Sequence, residues 1–162
     1  MTSTILIENS TRESISKDEQ RIRDMIEGLH RAHYARDAEA LAAPYGTDAT
    51  IFNLAPPLVH HGVNVEEKRA WLESWSTPIE IVPRDLSITV SGDFAFAHCF
   101  LRMTGTKKGA EGAVSFWMRE TLCFERIRGS WRIIHEHTSV PFYMDGSLRP
   151  AFDLQPLSTL SD

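Results

Sequence analysis

Apolar and polar positions change period along this chain, and the change separates two halves. Between Lys17 and Arg36 the residues Ile22, Met25, Ile26, Leu29 and His33 recur at three- and four-residue spacing, which predicts one helix with a single face to bury. Ser16 with Glu19 three residues later has capping-box spacing, so the helix is predicted to start near Lys17. Residues 1–15 are polar and aperiodic and are expected to form a flexible arm. Asp37 caps a short second helix, Ala38 to Ala43, which Pro44 closes. A strand over Ala49 to Leu54 is interrupted by Pro56-Pro57, and Leu58 to His61 reads as a brief strand before a turn at Gly62. Asn64 and Glu67 repeat the capping pattern and open a third helix that carries Trp71, Leu72 and Trp75 on one face.

From Pro78 onward the period becomes two. Glu80 to Val90 is a strand in which Pro83 marks an edge or a bulge. Ser91-Gly92-Asp93 is a turn, Phe94 to Thr106 a long strand, and Lys107-Lys108-Gly109 a polar loop. Ser115 to Ile127 and Trp131 to Val140 follow, joined at Gly129-Ser130. Two long strands on a tight turn, both with polar groups at period two, form a curved hairpin that can line a pocket. Residues 143–162, with Pro150 and Pro156, form an aperiodic tail, docked or disordered. Helices first and a meandering antiparallel sheet afterwards is an α+β plan in one domain, residues 16–142.

Composition narrows the function classes. A chain of 162 residues buries roughly two-thirds of its unfolded surface without disulfides or metal. A net charge of −5 with no basic stripe argues against a nucleic-acid partner. Cys99 and Cys123, the two cysteines, lie in apolar strand runs and read as free thiols in a reducing compartment. No apolar run approaches the ~20 residues of a membrane span, and the N-terminus lacks a basic-then-apolar pattern. A cytoplasmic protein without a membrane partner is therefore expected. No phosphate-binding loop or nucleophile elbow is present, which removes support for phosphoryl transfer and acyl-serine chemistry.

A family resemblance rests on specific residues. The helix, Arg36-Asp37, the short helix, Thr47-Asp48-Ala49-Thr50, Gly62 and the helix with Trp71 together resemble the nuclear transport factor 2-like superfamily. Within it the chain is similar to the SnoaL-like and ketosteroid-isomerase-like group. Glu120-Thr121 and the run from Gly129 to Ser139 also resemble the association domain of calcium/calmodulin-dependent kinase. The resemblance covers Ser16 to Phe142. It implies a cone: a strongly curved antiparallel sheet wrapped around the long N-terminal helix, cystatin-like in outline, with an apolar cavity at one end. It also implies a homodimer through the convex sheet face.

The same resemblance distributes the candidate site residues. The isomerase general base falls on Asn53, an amide that abstracts no proton, and the oxyanion-donating tyrosine falls on Leu29. Steroid isomerisation by the usual residues is therefore not expected. The second pocket acid falls on Glu120, and Glu136 and Thr138 are placed toward the cavity. One pocket arginine of the kinase domain matches Arg102, whereas two others are replaced by Leu122 and Thr138. Glu120 and Glu136 are thus the candidate acid–base pair. Asn53, Arg102, Phe100, Leu122, Phe124, Thr138, Trp71 and His33 are the candidate ligand contacts, with a structural Arg102–Glu120 ion pair as the bland alternative. His135 and His137 at i, i+2, with His98, have the spacing of strand-borne metal ligands, yet a subunit contact is the favoured reading, and no metal or cofactor is expected. His60-His61 is weighed as a solvated turn against a place at the cavity mouth.

The function implied is that of a SnoaL-like protein binding a small, mostly apolar molecule, as a cofactor-independent isomerase, cyclase or dehydratase. The alternative is a non-catalytic ligand-binding or oligomerisation module like the kinase association domain.

Overall fold

The structure is a computed structural model that describes residues 3–157, with side chains described from Lys17 onward. Helix α1 spans Ser3–Ala35, α2 Ala38–Ala42 and α3 Val65–Glu73. Strands β1 to β6 are Tyr45–Phe52, His60–His61, Glu80–Ser91, Phe94–Gly105, Val114–Ile127 and Ser130–Ser139. Helix α1 begins at Ser3, not near Lys17, so the segment 3–15 read as an arm is helical. The Ser16–Glu19 spacing thus lies within the helix; serine in a helix interior costs only a fraction of a kcal/mol, roughly 0.5, and does not force a start. The two predicted caps further on are used as read. Asp37 accepts from the Ala40 amide, and Asn64 accepts from the amides of Glu66 and Glu67.

The six strands form one sheet in the order β2-β1-β6-β5-β4-β3. Every neighbouring pair is antiparallel except β1 and β6, which run parallel, a departure from the expected antiparallel meander. Strand β1 reaches β6 through the rest of the fold and not through a hairpin, so no turn enforces opposite directions. Register shifts interrupt β1 between Tyr45 and Thr50, β3 between Arg84 and Ser87, and β6 between Ile133 and His135, opposite Cys123 and Phe124 of β5. Each bends its strand and adds twist, which curves the sheet around α1. Pro83 lies on an edge strand and next to a bulge, so both of its predicted settings apply.

Ile22, Ile26, Leu29 and Ala32 of α1 face the concave side, where Ala97, Leu122, Phe124 and Ile133 are buried. Burying each large aliphatic chain stabilises the fold by about 1.5–3 kcal/mol. The convex side carries Phe94, Phe96 and Phe100, all exposed. Beyond β6 the tail docks. Ala151 is buried, Phe152 packs on Phe116 with ring centroids 4.5 Å apart, and Arg84 donates to the carbonyls of Pro156 and Leu157 at 3.4 and 3.0 Å. The part of the expected tail at 158–162, like residues 1–2 of the expected arm, lies outside the described residues.

One polar cluster pins α1 to the sheet. Asp18, 9% exposed, accepts from Trp131 Nε1 at 3.1 Å and from Arg126 Nη2 at 2.5 Å. Arg126 also lies over the Trp131 ring at 4.5 Å and donates to Asp93 at 3.0 Å. The hydrogen bond from Arg126 holds the Asp18 carboxyl below the usual carboxylate range. Asp18→Ala strips Trp131 of its buried acceptor and Arg126 of its partner. At pH 7 it is expected to destabilise the fold by about 2–3 kcal/mol in urea unfolding. A depressed folded-state pKa contributes above the ordinary carboxylate value and is lost as acid titrates the group, so the gap between variant and wild type narrows as pH falls through the Asp18 pKa.

Candidate functional site

The sheet curves more widely than α1 fills, and the hollow left at one end is a cavity of about 390 Å³. That is at the small end of the roughly 300–1,000 Å³ typical of ligand pockets. Its apolar wall comes from Leu101 and Met103 of β4, Met118 of β5 and Ile51 of β1. Trp71 and Trp75 close the α3 side, edge to face at 5.9 Å. Trp75 fits because Gly105 has no side chain: a Cβ there would meet the indole at 3.0 Å. Nε1 of Trp75 is buried with no hydrogen-bond partner among the described residues.

Strand parity places the chemistry. Glu120 pairs across β4–β5 with Cys99 and across β5–β6 with Thr138, and Leu122 pairs with Glu136. Glu120 and Glu136 are therefore diagonal neighbours on the concave face, within mutual reach. Burial pushes the Glu120 carboxyl up to about 8, the Glu136 charge adds to the effect, and the Cys99 thiol, donating at 3.7 Å, opposes it. Glu120 is mostly protonated at neutral pH and able to donate. The Tyr45 hydroxyl of β1 donates to Glu136 Oε2. Burial first, and the Glu136 charge next, raise the Tyr45 hydroxyl above its ordinary range and keep it a donor.

Across the cavity, His33 Nδ1 lies 2.9 Å from the Leu29 carbonyl, which can only accept. The proton is therefore on Nδ1, and Nε2 is left with a free lone pair. Burial holds His33 near 4; the Leu29 bond opposes this, while the charges of Lys68 and His30 add to it. His30 is likewise held near 4, mainly by burial and then by Arg31. The ring of His33 stands edge-on to Trp71 at 6.0 Å.

The sequence matches the SnoaL-like domain over residues 22–143. The chain belongs to the SnoaL-like family. Among solved structures, it is similar to a nuclear transport factor 2-like protein of unknown function from Pseudomonas putida KT2440, with TM-score 0.77 and 29% identity over 87% of this chain and 98% of that one. A proposed dehydratase of the same superfamily from Streptomyces avermitilis matches with TM-score 0.66 and 18% identity over 76% and 96%. A proposed calcium/calmodulin-dependent protein kinase II association domain from Xanthomonas campestris matches with TM-score 0.61 and 18% identity over 74% and 84%. The last two support the fold alone. The search of curated proteins gives no match.

This SnoaL-like cavity brings together Glu120, Glu136, Asn53, Thr138, Trp71 and His33, and His60 joins them at its border. Four expected contacts are elsewhere. Arg102 and Phe100 lie on the convex face, because β4 turns Cys99, Leu101 and Met103 inward and their neighbours outward. Arg102 pairs with Trp117 and stands 5.9 Å from its ring, so neither a pocket cation nor an Arg102–Glu120 pair is formed. Leu122 and Phe124 have the right parity but are 1% and 0% exposed, sealed beneath α1 as core. His135 and His137 are on the convex side. His135 Nδ1 donates to the Thr50 carbonyl at 2.7 Å, and Phe52 packs edge-on to both rings.

The sequence pattern starts β1 at Ala49 and so leaves out Tyr45, which the odd-numbered alternation from Tyr45 to Asn53 aligns with Ile51. It also missed Lys68, which shares a helical stripe with Asn64, Trp71 and Trp75.

A carboxyl whose folded pKa is raised binds its proton more tightly in the native state, so stability falls as pH climbs between the unfolded and folded values. For Glu120 that window runs from 4.5 to about 8. Wild type is expected to lose on the order of 3 kcal/mol relative to Glu120→Gln between pH 5 and pH 8. Urea unfolding of both proteins at the two pH values measures it.

Proposed function

We propose that the cavity binds a small, mostly apolar carbonyl or hydroxy-carbonyl compound and moves protons on it with its own side chains, as an isomerase, cyclase or dehydratase does. The observation that carries this reading is a protonated carboxylic acid, Glu120, inside an apolar cavity beside a second carboxyl group that is held by a tyrosine. An acid with a pKa of about 8 donates to a substrate oxygen at neutral pH, where an ordinary carboxyl is already ionised. Glu136 and Tyr45 hold the adjacent hydrogen-bonding position, and His33 presents the neutral imidazole lone pair that accepts a carbon-bound proton. Asn53 and Thr138 at the border orient substrate oxygens. The alternative, a binding module in which Arg102 reads a carboxylate, loses its cation to the convex face.

We also propose a homodimer through the convex sheet face. Phe94, Phe96 and Phe100 are exposed there at 56%, 45% and 37%, with Phe52 on the same side. Solvent-facing aromatic rings grouped on one face mark an interaction surface.

Two experiments test these readings. In D₂O, wild type is expected to speed α-proton exchange or water loss in a panel of small apolar ketones and β-hydroxy ketones. Glu120→Gln is expected to lower the rate by about 10²–10⁴-fold, and the wild-type rate to fall above pH 8. Full turnover by both Glu120→Gln and Glu136→Gln would overturn the enzyme reading. For the assembly, sedimentation at micromolar concentration should give twice the mass of one 18.3 kDa chain, and Phe96→Asp with Phe100→Asp should give the single chain. A wild-type monomer counts against the dimer.

A further inference from the structure

The inward stripe of α3 and its flanks consists of Asn64, Lys68, Trp71 and Trp75, all of which border the cavity. Three of these four suit such a face: a helix cap and two aromatic walls. A lysine there is out of pattern. Lys68 is half-buried, and it is the one lysine or arginine among the residues that line the cavity. Its ammonium stands 5.5 Å from the Trp71 ring centroid, which steers it along the aromatic wall.

Neighbouring cations are satisfied differently. Arg69, next in sequence, pairs with Glu39 and Glu66, and Arg31 of α1 pairs with Glu27. Lys68 has no ion pair among the described residues. Glu67, beside it on the cavity border, is engaged at the helix cap, where its carboxyl accepts from Asn64 Nδ2 at 3.3 Å. On the facing helix His33 and His30 are neutral and bring no negative charge.

We propose that Lys68 recognises a carboxylate on the ligand, so that the cavity takes small organic acids with an apolar body and a carbonyl or hydroxyl group at the far end. The far-end group rests on the function proposed above; the carboxylate contact does not. Of the two acids at the sheet pole, Glu120 is neutral and the charged Glu136 is engaged by the Tyr45 hydroxyl, so the ligand's carboxylate is placed at Lys68 on the α3 side, away from that charge. Between them the ligand's body lies along Trp71, Leu101, Met103 and Met118.

The test uses an isosteric pair, 2-naphthoate and 2-naphthamide, titrated against the full chain at pH 7 and followed by tryptophan fluorescence and calorimetry. Naphthoate is expected to bind about tenfold more tightly than the amide, the ratio that one partly desolvated charge-assisted contact supplies. Lys68→Met should bring the ratio to about one, and Lys68→Arg should retain the preference. An unchanged ratio in Lys68→Met, or failure of both probes to bind wild type at millimolar concentration, overturns the proposal. Glu120→Gln separates the two claims. Loss of the acid preference in Lys68→Met with full turnover in Glu120→Gln would leave the carboxylate site standing and remove the enzyme reading. Loss of turnover with an unchanged ratio would do the reverse.

Discussion

The desolvation of one carboxyl group sets the character of this molecule. Glu120 sits on the concave face of a bent sheet, on the rung between Cys99 and Thr138, where its ionised form is costly. Three arrangements sustain that state. Sheet curvature opens a hollow instead of a packed interface, thioethers and aromatic rings line much of that hollow, and Glu136 supplies a second negative charge that makes ionisation of the first harder. Burial is the largest of these causes, and the Glu136 charge adds to it.

A cavity of this kind withholds apolar contacts that a filled core would make, and the rest of the fold has to hold it open. The division is visible along α1. Its earlier turns pack Ile22 and Ile26 against Phe124 and Ile133, and Asp18 ties the helix to Trp131 and Arg126. Its last turns present Leu29, His30 and His33 to the hollow. One helix thus serves as core in its middle turns and as cavity wall in its last turns. That explains why Leu122 and Phe124, on the concave face of β5, do not line the cavity: they lie under the packed part of the helix.

How much of this was legible in the sequence follows from what each signal encodes. Helical spacing gave the buried face of α1, and the caps at Asp37 and Asn64 gave two helix starts, because both are local properties. Period two gave the long strands, and the family resemblance, not the period, placed the acids of β5 and β6 toward the cavity. The period did not give the absolute phase of β4, which depends on its register with β5. Alignment by pattern puts Arg102 inward, although Ala97, Cys99, Leu101 and Met103 form the more apolar face of that strand. The parallel β1–β6 pairing, and with it the place of Tyr45, is a long-range property that no local pattern carries.

The substitutions at the positions that the isomerase resemblance marks as catalytic look like lost function only while those positions are viewed one at a time. Asn53 stands where the resemblance expects a base, and Leu29 where it expects a hydroxyl donor. Yet a hydroxyl enters the same cavity from β1 at Tyr45, and acids enter from β5 and β6. A concave sheet makes such relocation simple, since every second residue of every strand faces the same hollow and a donor moved from helix to strand still points at the bound molecule. What the relocation changes is orientation. The acids lie on the sheet and the imidazole on α1, so under the proposed function a substrate would be approached from two sides. That geometry separates the group donating a proton from the group accepting one. Under the proposed function it would favour chemistry in which a proton leaves carbon on one side as an oxygen is protonated on the other, over return of a single proton to the face it left.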